Sequence, residues 1–408
     1  MSSRPNTSPT PNLPWFAVWL AGTAPFFTAF FYPLLRDGVI ALLLLTWGWL
    51  LFAWRRGRLD SLRSWGDRIG RSSQLQNGLV VLTTIFLLLG SLEGCAQVST
   101  RLGVAEFDTP MRTMLPEGAH DWRLAHITAD RYREPDPVLF WRPVAGKPYT
   151  RQRFRGPVLK RSDGDDTFRI FCYGDSNTDG PTRGGSWPAR LQERLDTRSA
   201  YRFQVLNAGV AGYSSHQGLL RLRQEIERYR HDLILVSFGW NDAADALGVT
   251  DRGYRPPSPF MAGFQRLLLR YRFFLVSKFY LRSSSEPPAA VGPRVSQDEY
   301  LENLKAFQKL GEDKGVPVVL LTRPHRQKPE VLAQNPIPLL RQVPRYNEAL
   351  RALAKEASWP FVDVQRHFGE LGPDFFVDEA HFSLGGHGRM ALFLEEKLSD
   401  GGFLEKGR

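Results

Sequence analysis

Two cysteines among 408 residues are too few to staple a fold, so a disulfide scaffold is excluded. Cys172 lies in an apolar run and reads as a small core residue. Cys95 closes Leu92-Glu-Gly-Cys95, a poor lipoprotein cleavage site because Glu93 intrudes and the N-terminus is distant. Histidine supplies no metal-ligand spacing at His120, His126, His231, His325 or His367. Charge is missing altogether from Pro5 to Leu35, from Gly38 to Trp54 and from Ser72 to Leu92. Uncharged stretches of that length do not belong on an ordinary soluble surface.

Each stretch holds a dense block of Leu, Phe, Trp, Val and Ile, and a membrane span needs roughly 20 apolar residues. Trp15 to Leu35, Gly38 to Trp54 and Gly78 to Leu92 are therefore expected as three transmembrane helices. Arg55, Arg56, Arg58, Arg63, Arg68 and Arg71 separate the second block from the third, while only Arg36 beside Asp37 separates the first two. Arginine-rich short loops stay cytoplasmic, which predicts a multi-pass anchor in the cytoplasmic (inner) membrane with everything after about residue 96 on the periplasmic or extracellular side. Further spans follow the first block, so an uncleaved anchor is expected rather than a signal peptide.

The formal charge of +11 does not signal nucleic acid, because six of those arginines belong to the cytoplasmic loop. Arg151, Arg153, Arg155, Lys160 and Arg161 remain as a solvated face or a surface for anionic lipid or polysaccharide.

Residues 96–165 are rich in proline with scattered aromatics and read as an extended connector. From Thr167 the pattern alternates: strand Phe168 to Tyr173, helix Trp187 to Leu195, strand Phe203 to Leu206, helix Gln217 to Tyr229, strand Leu233 to Phe238. It resumes with helix Ser296 to Lys314, strand Val316 to Thr322, helix Tyr346 to Glu356, strand Phe361 to Val364 and helix Leu384 to Leu398. Such alternation predicts an α/β fold with a parallel sheet between helical layers, and sites at the carboxyl ends of its strands. The interruption at 243–295 holds the apolar and basic run Phe264 to Leu281, which suits a cap helix, an interfacial helix or a helix packed on its own domain.

Gly174-Asp-Ser-Asn-Thr178 follows the first strand, and Asp378-Glu-Ala-His381 lies far downstream. A serine hydroxyl needs a base within hydrogen-bond reach, and the base needs a carboxylate to hold its tautomer. Ser176, His381 and Asp378 supply that set, the last two within one turn of each other. Ester attack also creates an oxyanion, for which the Ser176 and Gly212 backbone N–H groups and the Asn241 side-chain amide are candidate donors. Taken singly, Gly212 reads as a turn glycine and Asn241 as a loop or capping residue. Asp175, Asp179 and Asp242 are expected behind the loops that carry Ser176 and Asn241. His387 is a rival base that reads as structural, and His216 reads as a residue at a helix start.

In order, Gly174-Asp-Ser-Asn-Thr178, Asn207-Ala-Gly-Val-Ala-Gly212, Gly239-Trp-Asn-Asp242 and Asp378-Glu-Ala-His381 resemble the four blocks of the SGNH hydrolases, also called GDSL esterases and lipases. The resemblance covers about residues 167–398. It implies a three-layer α/β/α sandwich with Ser176 as nucleophile and Gly212 and Asn241 in the oxyanion hole, and it implies no metal or organic cofactor. Trp240 and the long insert depart from the pattern and leave substrate identity open.

The expected organisation is a membrane anchor at 1–95, a connector at 96–165 and a catalytic domain at 166–400. The expected activity is removal of an acyl group, acetyl among the candidates, from a cell-envelope carbohydrate or lipid. The alternatives are an O-acyltransferase that uses the same triad to modify an exported polysaccharide and a non-catalytic glycan-binding protein. Neither nucleic acid nor metal enters this reading.

Overall fold

The computed structural model describes residues 73–101, 132–146, 148–159, 167–181, 185–197, 202–268, 271–274, 277, 290–326 and 338–405. These fall into two compact units, one drawn from residues 1–113 and 264–284, the other from 114–263 and 285–408. The first two apolar blocks and the arginine-rich segment between 55 and 71 lie outside the described residues.

In the first unit, helix α1 (Ser73–Arg101) contains the third apolar block. Its stretch Val80–Ser99 is long and apolar enough to cross a membrane. Val80, Val81, Leu82, Ile85, Leu88 and Leu92 are exposed along it. The helix runs on past Leu92 because Glu93 is not left bare. Gln97 Nε2 donates to one carboxylate oxygen at 2.9 Å and the Phe273 backbone N–H to the other at 3.0 Å, and Glu93 is fully buried. A carboxylate in an apolar helix requires such partners.

The second unit is built on five parallel strands in the order β4 (Arg202–Asn207), β3 (Thr167–Gly174), β5 (Leu233–Ser237), β8 (Val318–Leu321) and β9 (Phe361–Val362). Strands β1 (Arg133–Asp136) and β2 (Phe140–Pro143) form an antiparallel hairpin ahead of that sheet, so the described part of the connector is folded rather than merely extended. The core begins with β3 (Thr167–Gly174), the one-turn helix α2 (Ser176–Asp179), α3 (Trp187–Leu195), β4 (Arg202–Asn207) and α4 (Ser215–Glu225). There follow β5 (Leu233–Ser237), β6 (Asp245–Leu247), α5 (Pro259–Leu268), β7 (Ala290–Pro293), α6 (Gln297–Lys314) and β8 (Val318–Leu321). The chain closes with α7 (Pro338–Glu356), β9 (Phe361–Val362), α8 (Val364–Leu371) and α9 (Leu384–Asp400).

Because successive side chains of a strand point to opposite faces, near-continuous apolar strands imply cover on both sides. Phe168, Ile170 and Cys172 of β3 pack with Trp187, Leu191, Leu394 and Leu398 in one core. Phe171 and Tyr173 of the same strand pack with Leu222, Tyr300, Phe307 and Leu350 in the other. The result is the expected three-layer α/β/α sandwich.

Several boundaries differ from the sequence reading, three of them by two residues or more in ways that bear on caps and prolines. Helix α4 starts at Ser215 rather than Gln217, because Ser214 and Gln217 form a capping box. Strand β9 ends at Val362 because Asp363 caps α8, accepting from the Arg366 N–H at 3.2 Å. Helix α7 begins at Pro338 and carries Pro344 inside it, where proline normally argues for a break.

Candidate active site

The carboxyl ends of β3, β4 and β5 lie at one edge of the parallel sheet and carry the first three sequence blocks, while the fourth lies on the loop between α8 and α9. After β3 the backbone turns sharply at Gly174, where a Cβ would approach Ser237 O to 2.9 Å and Thr178 Cβ to 2.8 Å. Asp175 then caps α2, accepting from the Asn177 N–H at 2.9 Å, and Ser176 occupies the first helical position. A first-turn N–H has no acceptor within its own helix.

Ser176 Oγ lies 2.8 Å from His381 Nε2. His381 Nδ1 lies 2.8 Å from Asp378 Oδ2 and 3.0 Å from Oδ1. The Ala380 and His381 backbone N–H groups donate to Asp378 Oδ1 at 2.8 and 2.7 Å. Burial by itself would raise the Asp378 carboxyl. The hydrogen bond and charge of His381 and the two backbone donors outweigh it and hold the pKa at about 2. A carboxylate facing Nδ1 leaves Nε2 as the acceptor for the serine proton.

The other candidate oxyanion donors stand on two further loops. Gly212 has φ +82°, a conformation suited to glycine, and its carbonyl accepts from Arg294 Nη1 at 2.8 Å. That arginine is buried and pairs with buried Asp251 at 2.8 Å, which also accepts from Ser214 Oγ at 2.6 Å. Asn241 Nδ2 donates to Tyr213 O at 3.0 Å, which aims the amide while leaving its second proton.

Asp175, Asp179 and Asp242 are buried. Asp179 gathers Arg133 Nη2 at 2.5 Å, Tyr149 Oη at 3.0 Å, Arg155 Nη1 at 3.3 Å and the Ala211 N–H at 3.3 Å, which fixes the hairpin and second block to the nucleophile turn. Asp242 accepts from the Gly239 N–H at 3.0 Å, the Ser215 N–H at 2.9 Å and Ser215 Oγ. Burial raises its pKa to about 7 against those hydrogen bonds. Asp175 Oδ2 pairs with Arg323 Nε at 2.7 Å.

Arg323 escaped the sequence reading. It stands just past β8 and donates from Nη1 to Ala380 O at 3.0 Å, between Asp378 and His381 in the fourth block. Its guanidinium carbon lies 5.8 Å from the centre of the Trp240 ring. A charged residue at the carboxyl end of an apolar strand was the available signal. Asn177 makes the second tie, its Oδ1 accepting from the Phe382 N–H at 3.0 Å.

The rival histidines are placed otherwise. His387 is buried and its Nδ1 accepts from the Trp187 N–H at 3.2 Å, with a pKa lowered to about 4, chiefly by burial. His216 is half-buried near Phe140, 6.4 Å between ring centres, and burial lowers its pKa. Among the described residues, no group of three His, Cys, Asp or Glu side chains is placed to hold a metal ion.

Residues 172–389, which contain all four blocks, match the GDSL-like Lipase/Acylhydrolase family. The chain belongs to that family. It is an ester-bond hydrolase. An uncharacterized lipoprotein of Bacillus subtilis (strain 168), YqeF, is 23% identical over 231 residues, covering 52% of this chain and 76% of that protein. The lipase/acylhydrolase of Enterococcus faecalis is 17% identical with a TM-score of 0.39, covering 59% of this chain and 99% of its own. An acetylxylan esterase from Geobacillus stearothermophilus is 21% identical with a TM-score of 0.36, covering 56% and 94%.

Proposed function

We propose that this GDSL hydrolase removes a small acyl group, acetyl in the first place, from a cell-envelope carbohydrate or lipid, with Ser176 as nucleophile. The observation that carries the proposal is the hydrogen-bonded line from Ser176 Oγ through His381 to Asp378. His381 takes the serine proton as Oγ attacks the ester carbonyl, then returns it to the leaving alcohol. Water repeats the sequence on the acyl-enzyme, with His381 again as base. Asp378 keeps the imidazole in the tautomer that accepts at Nε2 and stabilises the imidazolium. The Ser176 and Gly212 N–H groups and Asn241 Nδ2 receive the oxyanion.

Preference for a short acyl chain rests on Trp240. Its half-buried ring stands beside Asn241 in sequence and beside the guanidinium that joins Asp175 and Ala380 in space, and in this reading it bounds the acyl group. Assignment to the envelope rests on α1 and on the arginine bias around the apolar blocks. In this reading residues 1–95 anchor the protein in the cytoplasmic membrane in several passes, 96–165 connect, and 166–400 form the catalytic domain outside the cytoplasm.

The test is release of free acetate from acetylated oligosaccharides by the full chain in lipid nanodiscs, compared with Ser176→Ala. Ser176-dependent acetate supports the proposal. Acetyl recovered on an added glycan instead of in solution would contradict hydrolysis, and release independent of Ser176 would contradict the nucleophile.

A further inference from the structure

Helix α5 reverses the usual arrangement of a surface helix. Its small residue Ala262 is fully buried, whereas Phe260 is 79% exposed and Met261, Phe264 and Leu267 are exposed beside it. Positions 260, 261, 264 and 267 share one face at helical spacing, so the exposed apolar side chains form a stripe rather than isolated points. Water is a poor neighbour for such a stripe.

The charge pattern identifies what covers it. Between residues 256 and 285 the sequence holds Arg266, Arg270, Arg272, Lys278 and Arg282, and no aspartate or glutamate at all. An apolar face combined with cations alone is the chemistry of a helix lying at an anionic lipid surface, where arginine stems reach up to the phosphates while the aromatic rings sink to the acyl boundary.

The segment that follows α5 is tied to the apolar helix at a matching depth. The Phe273 N–H donates to Glu93 in α1 at 3.0 Å. Glu93 stands six residues before Ser99, the end of the stretch able to cross a membrane, which is about 9 Å along the helix axis. Interfacial helices sink about 5–10 Å into the boundary between headgroups and chains. Neither the carboxylate nor the N–H would find water there, so each needs the other.

We propose that α5 and residues 271–274 lie in the interface of an anionic bilayer, apolar stripe inward, and that the Glu93 to Phe273 hydrogen bond holds them at that depth. The bases of the insert are hydrolase loops: β6 begins three residues after Asp242, and β7 leads into Arg294, which holds the Gly212 carbonyl. A lipid-seated insert would thus be covalently continuous with the Asn241 loop and hydrogen-bonded through Arg294 to the Gly212 loop.

The experiment uses the full chain in nanodiscs of phosphatidylglycerol and phosphatidylcholine, with spin labels introduced by Phe260→Cys, Phe264→Cys or Leu267→Cys. Cys95→Ser removes the exposed native thiol, and buried Cys172 does not react. Labels at Ile85→Cys, on the exposed face of α1, and at Lys309→Cys, whose side chain is 73% exposed, mark lipid and water. The proposal expects an oxygen-to-nickel accessibility ratio at 260, 264 and 267 several-fold above that at 309 and approaching that at 85. It also expects the ratio to fall when phosphatidylglycerol is omitted.

A ratio equal to that at 309 overturns the proposal. So does protection from both relaxants, which would mean cover by protein, whether this chain or a second copy. Immersion indifferent to lipid charge overturns the assignment to an anionic surface. None of these readings uses ester hydrolysis, so their failure leaves the catalytic assignment standing.

Discussion

Arg323 Nε lies 2.7 Å from Asp175 Oδ2 with both side chains withdrawn from solvent, and the same guanidinium donates to Ala380 O at 3.0 Å. One buried cation therefore joins the turn that presents Ser176 to the loop that presents Asp378 and His381. Removing one partner of a buried pair strands the other charge, at a cost of about 3–5 kcal/mol. Arg323→Ala should lose stability of that order in denaturant melts. Arg323→Lys keeps the charge but not the fork, so it should recover much of the stability while kcat stays depressed. Equal kcat in Arg323→Lys and wild type would show that the Ala380 contact does not position the base.

The nucleophile, base, acid and oxyanion candidates were legible because each is carried by a short segment whose residues act together: Asp175 with Ser176, Asp378 three residues before His381, Trp240 before Asn241. Arg323 was not, because its partners stand far away at Asp175 and Ala380 and no local spacing announces them. The buried pair Asp251 and Arg294 was hidden for the same reason. Apolar strands were plain from composition, whereas α7 was cut short by Pro344 and α8 was obscured by Asp363, whose capping role depends on where β9 stops.

Asn241 donates to Tyr213 O with one amide proton and has a second for the oxyanion. Losing one such donor costs about 10²–10³ in kcat. Asn241→Ala should show that loss with KM little changed, in steady-state kinetics on p-nitrophenyl acetate. A change confined to KM would place Asn241 in substrate binding instead.

Trp240 is expected to limit the acyl group. Trp240→Ala should raise kcat/KM for p-nitrophenyl butyrate and octanoate relative to acetate. An unchanged chain-length profile would remove this ring from acyl selection.

Burial raises the Asp242 carboxyl from 3.8 to about 7, so the folded protein keeps a proton that the unfolded chain has already released. That contribution favours folding fully below about pH 4 and is lost as pH rises through 7. The Tm of wild type relative to Asp242→Asn, which cannot titrate, should therefore fall by several degrees between acid and neutral pH. A difference independent of pH would contradict the protonated state.

Ser176 as the nucleophile is open to covalent labelling: full chain in nanodiscs, treated with a fluorophosphonate and mapped by peptide mass. One adduct is expected, on Ser176, absent from Ser176→Ala and formed much more slowly in His381→Ala. An adduct on another serine, or wild-type ester hydrolysis by Ser176→Ala, would contradict that role.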